Sequence, residues 1–268
     1  MTLGTYDILN LLGATLATFA LGYAAFWGLK VRSALGVKAY KKQAVGIGLI
    51  ALLLAGTNTV NTIAAYLVFG SAGSALEQGG YGLFFIFLLL LLYWTDSSVA
   101  TTRRTDPLSR DTLRWSRVRI PLWIAAIPGS VVIIVVDVHA LLLNGGHFSW
   151  WYGGGSLFQL GQLLLIPAIF VPLISGVVLF PIIRRRTPDR ILRSHFSWFA
   201  AFAVVYFVFN NTLSNLLSIA LETTPALFFD YASLVVCSYC LYRSALSLTP
   251  VNLDTSRPTQ PQTVAPQE

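Results

Sequence analysis

The sequence predicts an all-α fold: a polytopic seven-transmembrane helix bundle with its N-terminus outside and its C-terminus in the cytoplasm. Three observations carry that expectation. Of 268 residues, 55% are hydrophobic and only 11% are charged, against about 25% charged in a soluble domain. The apolar residues fall into seven long windows, roughly 7–29, 44–69, 81–102, 119–143, 156–182, 197–220 and 225–247. At a rise of about 1.5 Å per residue each is long enough to span hydrocarbon. The charge, finally, is sorted by loop.

That sorting sets the orientation. Lys30, Arg32, Lys38, Lys41 and Lys42 lie between windows 1 and 2. Arg103, Arg104, Arg110, Arg114, Arg117 and Arg119 lie between windows 3 and 4, and Arg184, Arg185, Arg186, Arg190 and Arg193 between windows 5 and 6. Arg243 and Arg257 follow at the C-terminal end, and these are all 18 basic residues of the chain. The N-terminus and the alternate loops contain none, so the positive-inside bias puts the basic loops in the cytoplasm. The net charge of +7 therefore reads as a topology signal, and nucleic-acid binding is not expected. The same loops suit anionic lipid headgroups or a membrane or cytoplasmic protein partner. The expected location is the cell (plasma) membrane, multi-pass within the lipid bilayer, with residues 1–249 as the transmembrane domain and 250–268 as a polar, disordered cytoplasmic tail.

In chain order, the stretch before helix 1 is short and lacks the basic start of a cleavable signal, so helix 1 is expected to stay. Helix 1 is rich in small residues, among them Gly13, Ala14, Ala17, Ala20, Gly22, Ala24 and Ala25. Such residues let helices approach closely in lipid. Helix 2 carries Thr57, Asn58, Asn61 and Thr62 at spacings of three and four, which predicts one polar face turned into the bundle. Helix 3 has no polar side chain from Leu83 to Leu92, and then Tyr93, Thr95, Asp96, Ser97 and Ser98. Asp96 is expected to anchor the cytoplasmic end by pairing towards Arg103 and Arg104.

Helix 4 has Pro121 in its first turn, where a missing N–H is tolerated, and Pro128–Gly129 predict a kink. Asp137 and His139 follow on different faces. His147, Trp150, Trp151 and Tyr152 suit an interfacial aromatic belt. Helix 5 carries Gln159 and Gln162 on one face and two internal prolines, Pro167 and Pro172. Helix 6 holds a polar patch of Asn210, Asn211, Thr212, Ser214 and Asn215; its glycosylation sequon is unusable inside a membrane. Glu222 to Pro225 suits a cap and first turn for helix 7. On helix 7, Asp230 is a lone carboxylate in an apolar run, and an intramembrane carboxylate marks a functional site by default. Cys237 and Cys240 lie mid-helix, where buried apolar cysteines are expected in place of a redox pair. No pattern of four zinc ligands is present.

Placed by depth, Asp230, Asp137, His139, Asn58, Asn61, Gln159, Gln162, Asn211 and Asn215 all belong to the middle or outer half. The inner half reads as mostly apolar. A buried polar group left unpaired costs about 1–3 kcal/mol, so this outer slab is expected to be either a hydrogen-bond network or a ligand site. No catalytic or metal constellation stands out.

Asp230 and the Arg243–Ser244 pair, with Leu12–Gly13 and Lys41–Lys42, give a chain that resembles the microbial (type 1) rhodopsins, seven-helix proteins with an outside N-terminus. The resemblance implies a retinal-binding lysine four residues after Asp230, and that position is Leu234. It also implies an arginine and a counter-ion carboxylate on helix 3, where this chain has Phe85 to Leu92. The tryptophan and Tyr-Pro of the family's helix 6 have no counterpart near Phe199 to Phe207. Covalent retinal and light-driven pumping are therefore chemically excluded; no cofactor is expected, and non-covalent carotenoid or lipid are the only candidates left open. A second likeness lies in the loops. Arg103–Arg104–Thr105 with Arg110 and Trp115 echoes Arg185–Arg186–Thr187 with Arg193 and Trp198, and is similar to the membrane sensor regions of histidine kinases.

Three function classes follow. The first is a non-enzymatic opsin-like or receptor-like protein with the outer slab as its site. The second is an ion, proton or small-solute transporter or channel in which Asp137 and Asp230 take the cation. The third is an accessory membrane subunit of a larger complex.

Overall fold

The computed structural model describes residues 5–66, 82–84, 86–98, 110–144, 160–161, 163–164, 184–185, 189–214, 216–217 and 223–249. Every described element is helical. We label them α1 (Thr5–Ala34), α2 (Lys38–Tyr66), α3 (Gly82–Ser98), α4 (Arg110–Asn144), α5 (Arg190–Val204) and α6 (Thr223–Leu246). A π-helical segment, Val205–Leu213, continues α5. Among the described residues, three stretches are long and apolar enough to cross a membrane: Asp7–Ala34, Lys38–Ala64 and Arg190–Asn210. Six of the seven apolar windows thus carry helix, and window 156–182 lies almost wholly outside the described residues.

Helices α1 and α2 outrun their apolar windows because a window measures hydrocarbon, whereas the helix continues into the charged ends. Only Leu35, Gly36 and Val37 separate them. The two pack closely because glycines remove the side chains between them. A Cβ on Gly28 would stand 2.8 Å from the Gly48 backbone nitrogen, closer than real side chains come. The far end of α1 uses the same device against α6, where a Cβ on Gly13 would meet the Tyr231 ring at 2.9 Å.

The exposure pattern is that of a protein in lipid. On α1 the large residues Leu12, Leu16, Phe19, Tyr23 and Phe26 are exposed, while Ala14, Ala17, Leu21, Ala24 and Ala25 are buried. On α4, Ile120, Ile124, Ile127, Val131 and Ile134 form a second exposed apolar stripe. Small residues inside and large apolar ones outside satisfy van der Waals packing where no water drives apolar burial.

An aromatic ladder fills the centre between α3 and α5. Trp94 stacks on Phe199 at 3.8 Å between ring centroids, and Phe199 leads through Phe202 to Tyr206 at 5.2 and 5.8 Å. Tyr206 meets Phe87 edge-on at 5.4 Å. The run without polar side chains, Leu83 to Leu92, thus contributes Phe87, with Phe84 stacked on it at 6.0 Å, to a packed aromatic core. The indole of Trp94 fits because α2 offers Gly46, where a Cβ would lie 2.0 Å from Trp94 Cδ1.

Three features differ from expectation. Asp96 pairs with Arg119 of α4 at 3.3 Å; Arg103 and Arg104 lie outside the described residues. Pro121 lies in the interior of α4, which starts at Arg110, and not in its first turn. The expected α-helix over 197–220 changes to π winding at Val205, for which the sequence gives no Pro or Gly warning.

Candidate functional site

Asp230 lies two turns into α6, and three groups from two helices converge on it. Asn210 Nδ2, within the π segment, donates to Asp230 Oδ1 at 2.6 Å and approaches the Asp230 carbonyl at 3.2 Å. The same amide donates to Ser233 Oγ at 2.8 Å, and Ser233 in turn donates to the Asp230 carbonyl at 2.7 Å. Ser214 also hydrogen-bonds the carboxylate through its side chain. The result is a carboxylate ringed by neutral amide and hydroxyl groups, with no cation in contact among the described residues.

The π winding makes this geometry. A π turn holds i→i+5 bonds: the Ser214 N–H donates to the Phe209 carbonyl and the Thr212 hydroxyl to the Phe207 carbonyl at 2.9 Å. Each π residue turns the helix by less than an α residue does. Asn210 faces α6 across this segment. Ser214 is buried one turn further on.

The other predicted site residues divide into two groups. Asn58 turns to α1, donating from Nδ2 to the Ala14 carbonyl at 2.8 Å and to Thr18 Oγ1 at 2.9 Å. Thr59, 3.3 Å from Thr18, completes this clasp. Asn61 is exposed, so the polar stripe of α2 does not form one inward face. Asp137 and His139 belong to α4, but their side chains lie outside what the structure describes, as does that of Asn211. Gln159, Gln162 and Asn215 fall outside the described residues altogether, along with the aromatic loop 147–152. Cys237 and Cys240 are free and buried. Leu234, at the position where the rhodopsin resemblance calls for a lysine, is part of the apolar core.

A second polar cluster, in the inner half, was not anticipated. His195 of α5 is fully buried, its Nδ1 lying 2.9 Å from Ser244 Oγ and 3.2 Å from the Ser244 carbonyl. Ser194 and Ser247 meet at 3.1 Å alongside. Across the Trp94 ring, Gln43 is equally buried and receives the Ser98 hydroxyl at Oε1, 3.2 Å away. The inner half is therefore not mostly apolar. At the base, Asp189 caps α5 by accepting from the Ile191 and Leu192 N–H groups, and it also accepts a short hydrogen bond from the Tyr40 hydroxyl. Lys30 sits over Trp27, Lys42 over Tyr93 and Arg243 over Trp198, so these cations end on aromatic rings.

No protein-family model, curated protein or solved structure matches this chain. Among the described residues no group of three or more His, Cys, Asp or Glu side chains is placed to hold a metal ion.

Proposed function

We propose that this chain is a non-enzymatic seven-helix integral membrane protein of opsin-like, receptor or sensor type, with its N-terminus outside and its C-terminus in the cytoplasm. Its ligand site lies in the outer half of the bundle and is centred on Asp230. The observation that carries the reading is the Asp230–Asn210–Ser214–Ser233 cluster. It places one carboxylate and its neutral partners at the junction of two helices, one of which is wound as a π-helix there. π segments inside α-helices are frequent at functional sites. All 18 basic residues belong to the opposite side, so the site and the charged face occupy different ends of the protein. Signal output would then pass to a protein partner or to anionic lipid at the basic loops. Leu234 has no amine, so any chromophore would be held without a Schiff base.

Cysteine labelling in intact cells tests both the orientation and the opening of the site. In a background carrying Cys237→Ser and Cys240→Ser, the variants Asn61→Cys, Asn210→Cys and Lys38→Cys are treated with a membrane-impermeant thiol reagent. Positions 61 and 210 are expected to label from outside, and position 38 only after permeabilisation. Labelling of position 38 in intact cells would reverse the topology. A position 210 that never labels would close the outer site.

A further inference from the structure

We infer that the Asp230 cluster binds a small monovalent cation from the outer medium, sodium in the first instance; this deepens, and rests on, the outer-site reading above. The argument begins with charge. Asp230 to Arg243, the first basic residue along its own helix, is thirteen residues, about 20 Å of α-helix. The helices packed around it are no closer to a positive charge. Lys30 stands seventeen residues from Gly13, the α1 residue that touches Tyr231, or about 25 Å. Arg193 is equally far along the chain from Asn210. Among the described residues, the titratable groups that interact with the carboxylate are Tyr231, with Tyr66 beyond it, and Cys237. None of these carries positive charge in any protonation state. An ionised carboxylate in a low-dielectric site needs a counter-charge, and none stands near it among the described residues.

The local chemistry fits a hard cation. Asp230 contributes its carboxylate and its carbonyl, Ser233 and Ser214 their hydroxyl oxygens, and Asn210 an amide whose oxygen and nitrogen exchange places by a half-turn of the side chain. Hard cations take oxygen ligands of these types. The groups already hydrogen-bond one another at 2.6–3.2 Å, so an entering cation takes the place of the amide and hydroxyl hydrogens on the carboxylate. One carboxylate neutralises one positive charge, whereas a divalent ion would leave an excess charge in apolar surroundings.

Thermal unfolding of the full chain in nanodiscs of neutral phosphatidylcholine tests this, comparing equimolar sodium chloride and N-methylglucamine chloride at about pH 8, above the carboxylate reference range. Sodium is expected to raise Tm by about 3 °C or more through binding to the folded state. Asp230→Asn is expected to abolish the difference, and Asp96→Asn, at the other end of the bundle, to retain it. Should Asp230→Asn fail to fold, Ser233→Ala serves instead, with the sodium midpoint expected to rise about fivefold for one lost interaction of hydrogen-bond strength. Equal Tm in the two salts, or an unshifted midpoint in Ser233→Ala, overturns the inference. So does a Tm that rises only on acidification, since a proton is then the counter-charge. A sodium effect without labelling at position 210 would overturn the outward opening and leave the cation site standing. Labelling without a sodium effect would do the reverse.

Discussion

His195 and Ser244 hold each other through both side chain and backbone. Ser244 Oγ lies 2.9 Å from His195 Nδ1 and 3.2 Å from the His195 carbonyl, while Nδ1 lies 3.2 Å from the Ser244 carbonyl. Both residues are fully buried, so the lock fixes the rotation of α5 against α6 where water does not compete. Ser244→Ala removes the hydroxyl and leaves His195 Nδ1 with one weak acceptor. The expected cost is about 1–3 kcal/mol, read as a lower Tm in nanodiscs. An unchanged Tm would mean that the pair does not hold the two helices.

Glycine positions in α1 and α2 separate by what stands opposite them. Gly46→Ala drives a methyl group into Trp94, and Gly28→Ala drives one into the Gly48 backbone, where nothing flexible can yield. Each is expected to cost about 1–3 kcal/mol. Gly22→Ala meets nothing within 4 Å and should be neutral or stabilising by up to about 1 kcal/mol, from helix propensity. Thermal unfolding of the three variants side by side gives the order, and a destabilising Gly22→Ala would contradict the packing.

Asp189 serves two structures at once, which predicts unequal effects of two substitutions. Tyr40→Phe removes only the hydroxyl that links α2 to α5. Asp189→Ala removes that link and the N-cap together, with cap loss alone worth about 0.5–2 kcal/mol. Hydrogen exchange at the Ile191 and Leu192 amides should accelerate strongly in Asp189→Ala and only slightly in Tyr40→Phe. Equal acceleration would show that the cap is not the operative contact.

The Arg119–Asp96 pair should matter little. Both side chains are partly exposed, 37% and 25%, and such pairs contribute about 0–1 kcal/mol. A double-mutant cycle of Arg119→Gln and Asp96→Asn is expected to return a coupling in that range that shrinks as salt rises. A coupling of several kcal/mol would place the pair in a drier setting than its exposure indicates.

Protein incubated with retinal should show no protonated Schiff-base absorption in the visible. Leu234 carries no amine, and the four lysines, Lys30, Lys38, Lys41 and Lys42, cluster between α1 and α2. A visible band lost on borohydride treatment would overturn this, and replacing those four lysines would locate it.

Much of the architecture was legible because lipid imposes simple rules. Long apolar windows gave the helices, the small residues of helix 1 marked its packing face, and Asp230 stood out as a solitary charge. What escaped depends on register and on distant partners. Asn210 is one of five polar residues within 210–215, and residue type does not say which of them meets Asp230. The choice of Arg119 by Asp96 depends on how α3 and α4 lie together, which spacing along one chain does not encode. His195, Gln43 and Ser98 are unremarkable singly and become a cluster only when three helices bring them around Trp94.

The contact between Gly13 and Tyr231 bears on how the protein is made. Helix α1 packs on α2 along one side and on α6 along another, so α1 leaves the ribosome well before the helix that covers part of its packing surface. The α1–α2 hairpin, joined by three residues, can close early. Any chain that stops short of Thr223 leaves the small-residue face of α1 open to whatever other helices share the bilayer. Truncated or stalled products should therefore be substrates for membrane quality control, and synthesis of α6 is the step that closes this face of α1.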